Sequence, residues 1–224
     1  GINSIQSDPN FGKRFVFFGT GKYLEASDPA DTQIQSWYGL IDDDDVVDGR
    51  TDLVERSIVA QGLHAGVPVR AFGKASANDM DSKDGWYLDL IPPSPDVPEG
   101  ERIVSSSKVL GHILIASSII PSDDTCDAGG NGYINAINAY TGGSLDAAFF
   151  DVNNDNAFDG GDDFTSGGEQ YVVGSIDPNV GMPTEPLIIS TKMPVTGSGG
   201  NTKEFGVNNP LEVGRISWRE VLLD

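Results

Sequence analysis

Asp151, Asn153, Asp155 and Asp159 stand at positions 1, 3, 5 and 9 of one short segment, Asp151-Val-Asn-Asn-Asp-Asn-Ala-Phe-Asp159. Each of these side chains offers an oxygen acceptor. A hard cation takes about six to eight oxygens, and this spacing supplies them from alternate side chains plus the carbonyl of position 7, Ala157. Calcium is the expected ion. Position 6 is Asn156, where an EF-hand loop has glycine, and asparagine tolerates the left-handed conformation required there. Position 12 is Asp162 rather than glutamate, which leaves a bidentate ligand open. No helix pattern flanks the segment and no second copy occurs, unlike paired dockerin repeats. The plain alternative is an Asp/Asn-rich turn that holds no metal.

The other acidic groups have weaker geometry. Asp42 to Asp45, with Asp48, form an extended run whose neighbours point to opposite sides and cannot all face one ion, so a solvated loop is expected. Asp79, Asp81 and Asp84 read as a polar turn. Asp123, Asp124 and Asp127 flank the single cysteine, Cys126, without a metal spacing. The two histidines, His64 and His112, have no partner motif, and His112 at the head of an apolar run reads as structural. There is no nucleophile elbow, phosphate loop or zinc pattern. Carboxylates are plentiful, but nothing selects one pair for glycoside hydrolysis. A non-enzymatic protein is expected.

The elements that must position the loop read as short strands. The pattern predicts strands at 14–19, 36–41, 53–60, 67–72, 86–90, 102–106, 109–120, 133–139, 169–174, 187–191 and 212–217, separated by Gly, Asp, Asn, Ser and Pro clusters. The run 109–120 is apolar throughout, as in a strand buried on both faces. Segments 25–36, 42–51, 75–85, 92–100 and 194–209 read as long loops, the last as a mobile one. Trp37, Trp86 and Trp218, and the group Phe15, Phe17 and Phe18, read as core. Regular short strands suit a sandwich or a propeller. No linker divides residues 1–224, so one domain is expected.

The chain has 34 acidic against 14 basic residues, a net charge of −20, with 28 glycines, 13 prolines and 38% hydrophobic residues. Clustered Lys and Arg are lacking, which argues against nucleic acid and against an anionic membrane surface. No apolar run approaches the ~18 residues of a membrane span. The chain opens without methionine or a signal segment and reads as a piece of a longer, processed protein. Cys126 either has a partner outside this chain or is a free thiol.

Five segments carry a family resemblance. They are Phe17-Phe-Gly-Thr-Gly-Lys-Tyr-Leu-Glu-Ala-Ser-Asp28 followed by Gln35 to Asp42, Gly85-Trp-Tyr-Leu-Asp-Leu90 leading to Gly100-Glu-Arg-Ile-Val104, Ile120 to Gly130, the Tyr140-Thr-Gly turn, and Gly214-Arg-Ile-Ser-Trp-Arg-Glu-Val-Leu222. The turn resembles those of quinoprotein-type propeller blades. In order, the other four resemble the C-terminal domain of the type IV pilus tip-associated PilY family (PilC in some bacteria). The resemblance implies an all-β fold: part of a modified, quinoprotein-like β-propeller, roughly its last three to four blades, with residues 1–224 as the C-terminal portion of a single propeller domain. It implies a calcium site at Asp151, Asn153, Asp155 and Asp159 with the Ala157 carbonyl. It also implies a protein exported through the periplasm of a Gram-negative-type bacterium to the pilus tip and cell surface. Its implied work is pilus biogenesis, adhesion and twitching motility, with calcium linked to a switch between pilus extension and retraction. The expected partners are minor pilins or other tip components, a host or abiotic surface, and the remaining propeller blades. The alternatives are a secreted carbohydrate-binding or carbohydrate-active protein with a structural calcium site, and a purely structural adhesin fragment.

Overall fold

The computed structural model describes residues 1–211 except 4, 5, 7, 9, 44, 45, 77 and 124–128. The strand expected at 212–217, the segment 214–222, Trp218, Cys126, Asp44, Asp45, Asp124 and Asp127 lie outside the described residues. In chain order the strands are β1 (Phe15–Gly19), β2 (Ser36–Ile41), β3 (Val54–Arg56), β4 (Ile58–His64), β5 (Val67–Phe72), β6 (Gly85–Asp89), β7 (Lys108–Leu110), β8 (Ile113–Pro121), β9 (Gly130–Asn138), β10 (Phe150–Asp151), β11 (Phe164–Ser166), β12 (Glu169–Tyr171), β13 (Ser175–Ile176), β14 (Lys192–Thr196) and β15 (Thr202–Val207). Two single-turn 3-10 helices, at Asp28–Ala30 and Arg50–Asp52, are the only helical pieces among the described residues.

The strands form four open sheets. They are a four-stranded sheet in the order β1-β2-β6-β3, a six-stranded sheet in the order β4-β5-β13-β9-β8-β7, a three-stranded sheet in the order β10-β15-β14, and the hairpin β11-β12. All pairs are antiparallel except β3 with β6.

The six-stranded sheet is the middle layer. Alternation on β8 sends Leu114 and Ala116 to one core and Ile113 and Ile115 to the other. On β5, Phe72 joins the first core and Val69 and Ala71 the second. The first core meets Phe15, Trp37, Trp86 and Leu88 of the four-stranded sheet. The second meets Phe150, Met193, Val195 and Val207 of the three-stranded sheet and Phe164 of the hairpin. A sheet covered on both faces needs apolar residues at successive positions, so the run 109–120 looks as it does.

Several boundaries differ from the sequence reading. The stretch 53–60 is two strands in different sheets, divided at Ser57. Gly111, with φ +62°, turns β7 into β8 within the run 109–120. The stretch 102–106 holds only the bridge of Arg102 to Ile119, and 187–191 only the bridge of Ile189 to Lys192. The stretch 194–209, read as a mobile loop, supplies most of the hairpin β14-β15. Its Gly and Asn residues are the turn, and the flanking Met193, Val195 and Val207 are buried by the middle sheet. Trp37 and Trp86 are fully buried, whereas Phe18 is 40% exposed and stacks on Tyr38 at 5.1 Å. Phe18 alternates to the outer face of an edge strand, which the core does not reach.

The Tyr140-Thr-Gly turn follows β9. Asn138 Oδ1 accepts the N–H groups of Tyr140 and Thr141, and Trp86 Nε1 donates to Ala139 O at 2.9 Å. Gly142 has φ +70°, and a Cβ there would lie 2.4 Å from the Trp86 ring. Only glycine closes this turn against the indole.

Candidate functional site

The 151–162 loop starts from a buried anchor. Phe149 and Phe150 pack edge to face at 4.9 Å, and β10 pairs with β15, so Asp151 sits opposite Gly206. Asp151 is 4% exposed, and a Cβ on Gly206 would lie 2.8 Å from its carboxylate. The close approach of strand β15 to Asp151 therefore depends on a glycine.

From that anchor the chain curls around its own side chains. Asp151 Oδ1 accepts the N–H of Asp155 and Oδ2 that of Asn156, both at 3.1 Å. Asn153 Oδ1 accepts from Asp155 N at 3.0 Å, and Asp155 Oδ1 accepts from Ala157 N at 2.8 Å. Asp159 Oδ1 accepts from Gly161 N at 2.7 Å. Asn154 and Asn156 have φ of +60° and +65°, so asparagine takes the left-handed positions that tighten the curl.

Asp162 closes the loop. It is 1% exposed, and its Oδ1 accepts from Val152 N at 2.8 Å and Asn153 N at 3.3 Å. Its Oδ2 accepts from Asp159 N at 3.3 Å. One carboxylate thus ties the first residues of the loop to the last. The sequence reading left this position open, and the missing signal was its burial. His64, from β4, brings Nε2 within 2.8 Å of Gly161 O, and Gln170 Nε2 donates to Gly160 O at 3.3 Å. The His64 contact joins residues 97 positions apart, which no local pattern announces. Burial raises the pKa of the adjacent Asp163, with Asp162 adding to the rise.

Asp151, Asn153, Asp155, Asp159 and the Ala157 carbonyl therefore share one small turn. Their donor set is oxygen, as a hard cation requires. Among the described residues, no three His, Cys, Asp or Glu side chains converge as a metal cluster. The loop carboxylates face main-chain N–H groups of their own turn instead.

Two of the other acids are held structurally. Asp79 makes a bidentate pair with Arg56 at 2.7 and 3.0 Å, which holds its carboxyl below the usual range. Asp42 pairs with Arg14 at 3.3 Å. His112 gives its carbonyl to Ala139 N at 2.8 Å.

Stacked open sheets, with glycine-closed turns and one acidic loop, define an all-β protein of β-propeller-like fold. The structure matches the crystal structure of the Pseudomonas aeruginosa PilY1 C-terminal domain with a TM-score of 0.70 at 21% identity, over 91% of this chain and 44% of that one. In sequence, the chain is 36% identical over 218 residues to a type IV pilus biogenesis factor PilY1 homolog of Xylella fastidiosa, covering 94% of this chain and 17% of the relative. It is 27% identical over 246 residues to the type IV pilus biogenesis factor PilY1 of P. aeruginosa strain PAO1, covering 97% of this chain and 20% of the relative. No family model matches. PilY1 proteins are homologues of this chain over most of its length, and it spans 17–20% of the length of these two curated relatives.

Proposed function

We propose that this chain serves type IV pilus biogenesis as the C-terminal portion of a single propeller domain, acting at the cell surface and pilus tip after export through the periplasm. The observation that carries the reading is the 36% identity, over 94% of the chain, to a pilus biogenesis factor. The proposed role is non-enzymatic. Its partners are minor pilins or other tip components and the remaining blades of the propeller, with adhesion to a host or abiotic surface and support of twitching motility as the outcomes.

Calcium is the proposed regulator. Asp151, Asn153, Asp155, Asp159 and the Ala157 carbonyl would hold it. When bound, the ion supplies positive charge to a loop that otherwise repels itself. Each pair of carboxylates at ~4 Å repels by about 1 kcal/mol even at the dielectric of bulk water. Asp151 fixes one end of the loop to the sheet and Asp162 ties the other end to it, so ordering between them is transmitted to β10 and to the β11-β12 hairpin.

Calorimetric titration with calcium tests this. The chain should release or absorb heat and gain thermal stability, and Asp155→Ala should lose both responses. Absence of heat and of a thermal shift in the native chain, or an unchanged response in Asp155→Ala, would sink the calcium assignment. The pilus role is tested separately, by asking whether the full-length Asp155→Ala protein still supports piliation and twitching.

A further inference from the structure

A second polar region shares no residue with the loop. Arg70, Ser175 and Asn135 are paired neighbours across β5, β13 and β9. Their side chains form one buried chain that Ser118 and Glu101 complete. Ser175 Oγ donates to Asn135 Oδ1 at 2.8 Å, Asn135 Nδ2 to Ser118 Oγ at 3.0 Å, and Ser118 Oγ to Glu101 Oε1 at 2.5 Å. Arg70 Nη1 donates to Glu101 Oε2 at 2.5 Å. None of the five residues is more than 2% exposed.

This chain ends beneath a groove of about 570 Å³. Its walls are apolar, made by Leu63, Pro68, Pro92, Pro95 and Val97. Arg70 and Tyr133 line it, with the guanidinium 3.6 Å from the centre of the tyrosine ring. Glu99 stands at its rim, its side chain 49% exposed and its Oε2 3.6 Å from Arg70 Nη2, too far for a hydrogen bond.

Two needs are unmet there. Glu101 already neutralises Arg70, so the charge of Glu99 is surplus. Asp177, whose N–H donates to Pro68 O, adds a further half-buried carboxyl on the same side, with Lys203 the other cation near it. Among the described residues Arg70 Nε has no acceptor, although the group is buried. A cation on an aliphatic stem answers the first need and the apolar walls. A carbonyl oxygen answers the second once the guanidinium shifts toward the groove it lines. A polypeptide with a basic side chain carries both.

We propose that this groove docks a lysine- or arginine-bearing extended segment of a partner polypeptide. The basic head pairs with Glu99, the stem lies along Pro92, Pro95 and Val97, and a main-chain carbonyl approaches the Arg70 guanidinium. The net charge of −20 draws such a segment in from a distance, and the groove gives it one place to settle. The assignment is independent of calcium binding and of the pilus role.

The test is the binding of a labelled tetra-lysine peptide to the full chain, followed by fluorescence anisotropy with saturating calcium so that the loop acids do not compete for the probe. Glu99→Gln should weaken binding about fivefold, as loss of one half-exposed ion pair does. Asp48→Asn, an equal charge change on an exposed loop, should alter it less than about twofold. Cadaverine, which has the stem and ammonium but no carbonyl, should compete poorly. Equal weakening by Glu99→Gln and Asp48→Asn would reduce the effect to diffuse charge attraction and overturn the site. Sedimentation showing a dimer that Glu99→Gln dissolves would assign the groove to a second copy of this chain and also overturn it. Glu99 is half exposed, so its variant should fold, and an unchanged thermal transition checks this.

Discussion

The 151–162 loop and the chain from Arg70 to Ser175 are both crowded with polar side chains, and they satisfy them in opposite ways. In the loop, Asp151, Asn153, Asp155 and Asp159 accept N–H groups from residues two to five positions further along the same turn. No basic side chain neutralises these four acceptors in the hydrogen bonds and ion pairs of the described residues. In the buried chain, every link joins residues at least 17 positions apart, and the one cation meets a carboxylate. The loop is locally folded and electrostatically incomplete. The buried chain is balanced in charge and depends on four strands and a loop segment meeting correctly. A region of the first kind responds to an added ion. One of the second kind fixes how the sheet and its covering segment fit together.

That contrast can be broken most sharply at Glu101. Glu101→Ala leaves buried Arg70 with only the half-exposed Glu99 at 3.6 Å, and denaturant unfolding should show a loss of about 3 kcal/mol. A loss under about 1 kcal/mol would mean that water reaches Arg70 and that the chain is not closed. Replacing Arg70 and Glu101 together by apolar residues of similar size should recover most of that loss.

The loop should respond less. Asp162→Ala strands the N–H groups of Val152, Asn153 and Asp159, and should cost about 1–3 kcal/mol without calcium. Hydrogen exchange should quicken at those three amides while β8 and β9 stay protected. Exchange that quickens throughout would show that the loop is as integral to the core as the buried chain.

The smallest expected effect is a pH dependence at a carboxylate that combines both modes. Asp28 accepts N–H groups from Leu24 and Glu25 and pairs with Lys22, and its pKa is lowered to about 2, first by those two amides. A carboxylate lowered in the folded state adds stability above its unfolded pKa of about 4, and loses it as pH falls toward 2. Unfolding followed between pH 5 and 2 should therefore be less acid-sensitive in Asp28→Asn than in the parent chain. Parallel curves would remove Asp28 from the acid response.

Much of the fold was legible because strand signals are local. Ser36–Ile41 and Val67–Phe72 were read to the residue, and the two-sided burial of 113–119 followed from the apolar character of the run 109–120. The two-residue strands β10 and β13 were not legible, since neither has room to show a period of two. The hairpin β14-β15 was missed because its glycine-rich turn outweighed Met193, Val195 and Val207, whose burial needs a partner sheet.

The same division holds for the sites. Sequence alone determined the candidate ligands Asp151, Asn153, Asp155 and Asp159 and the left-handed Asn156, because a loop that satisfies its own backbone writes its geometry into consecutive residues. Tertiary structure alone decided that Asp162 is the latch, that His64 reaches Gly161, and that Arg70, Glu101, Ser118, Asn135 and Ser175 are one network beneath a groove. Those residues come from separate strands and loops, and their chemistry exists only once sheet pairing has brought them within hydrogen-bond reach and excluded water around them.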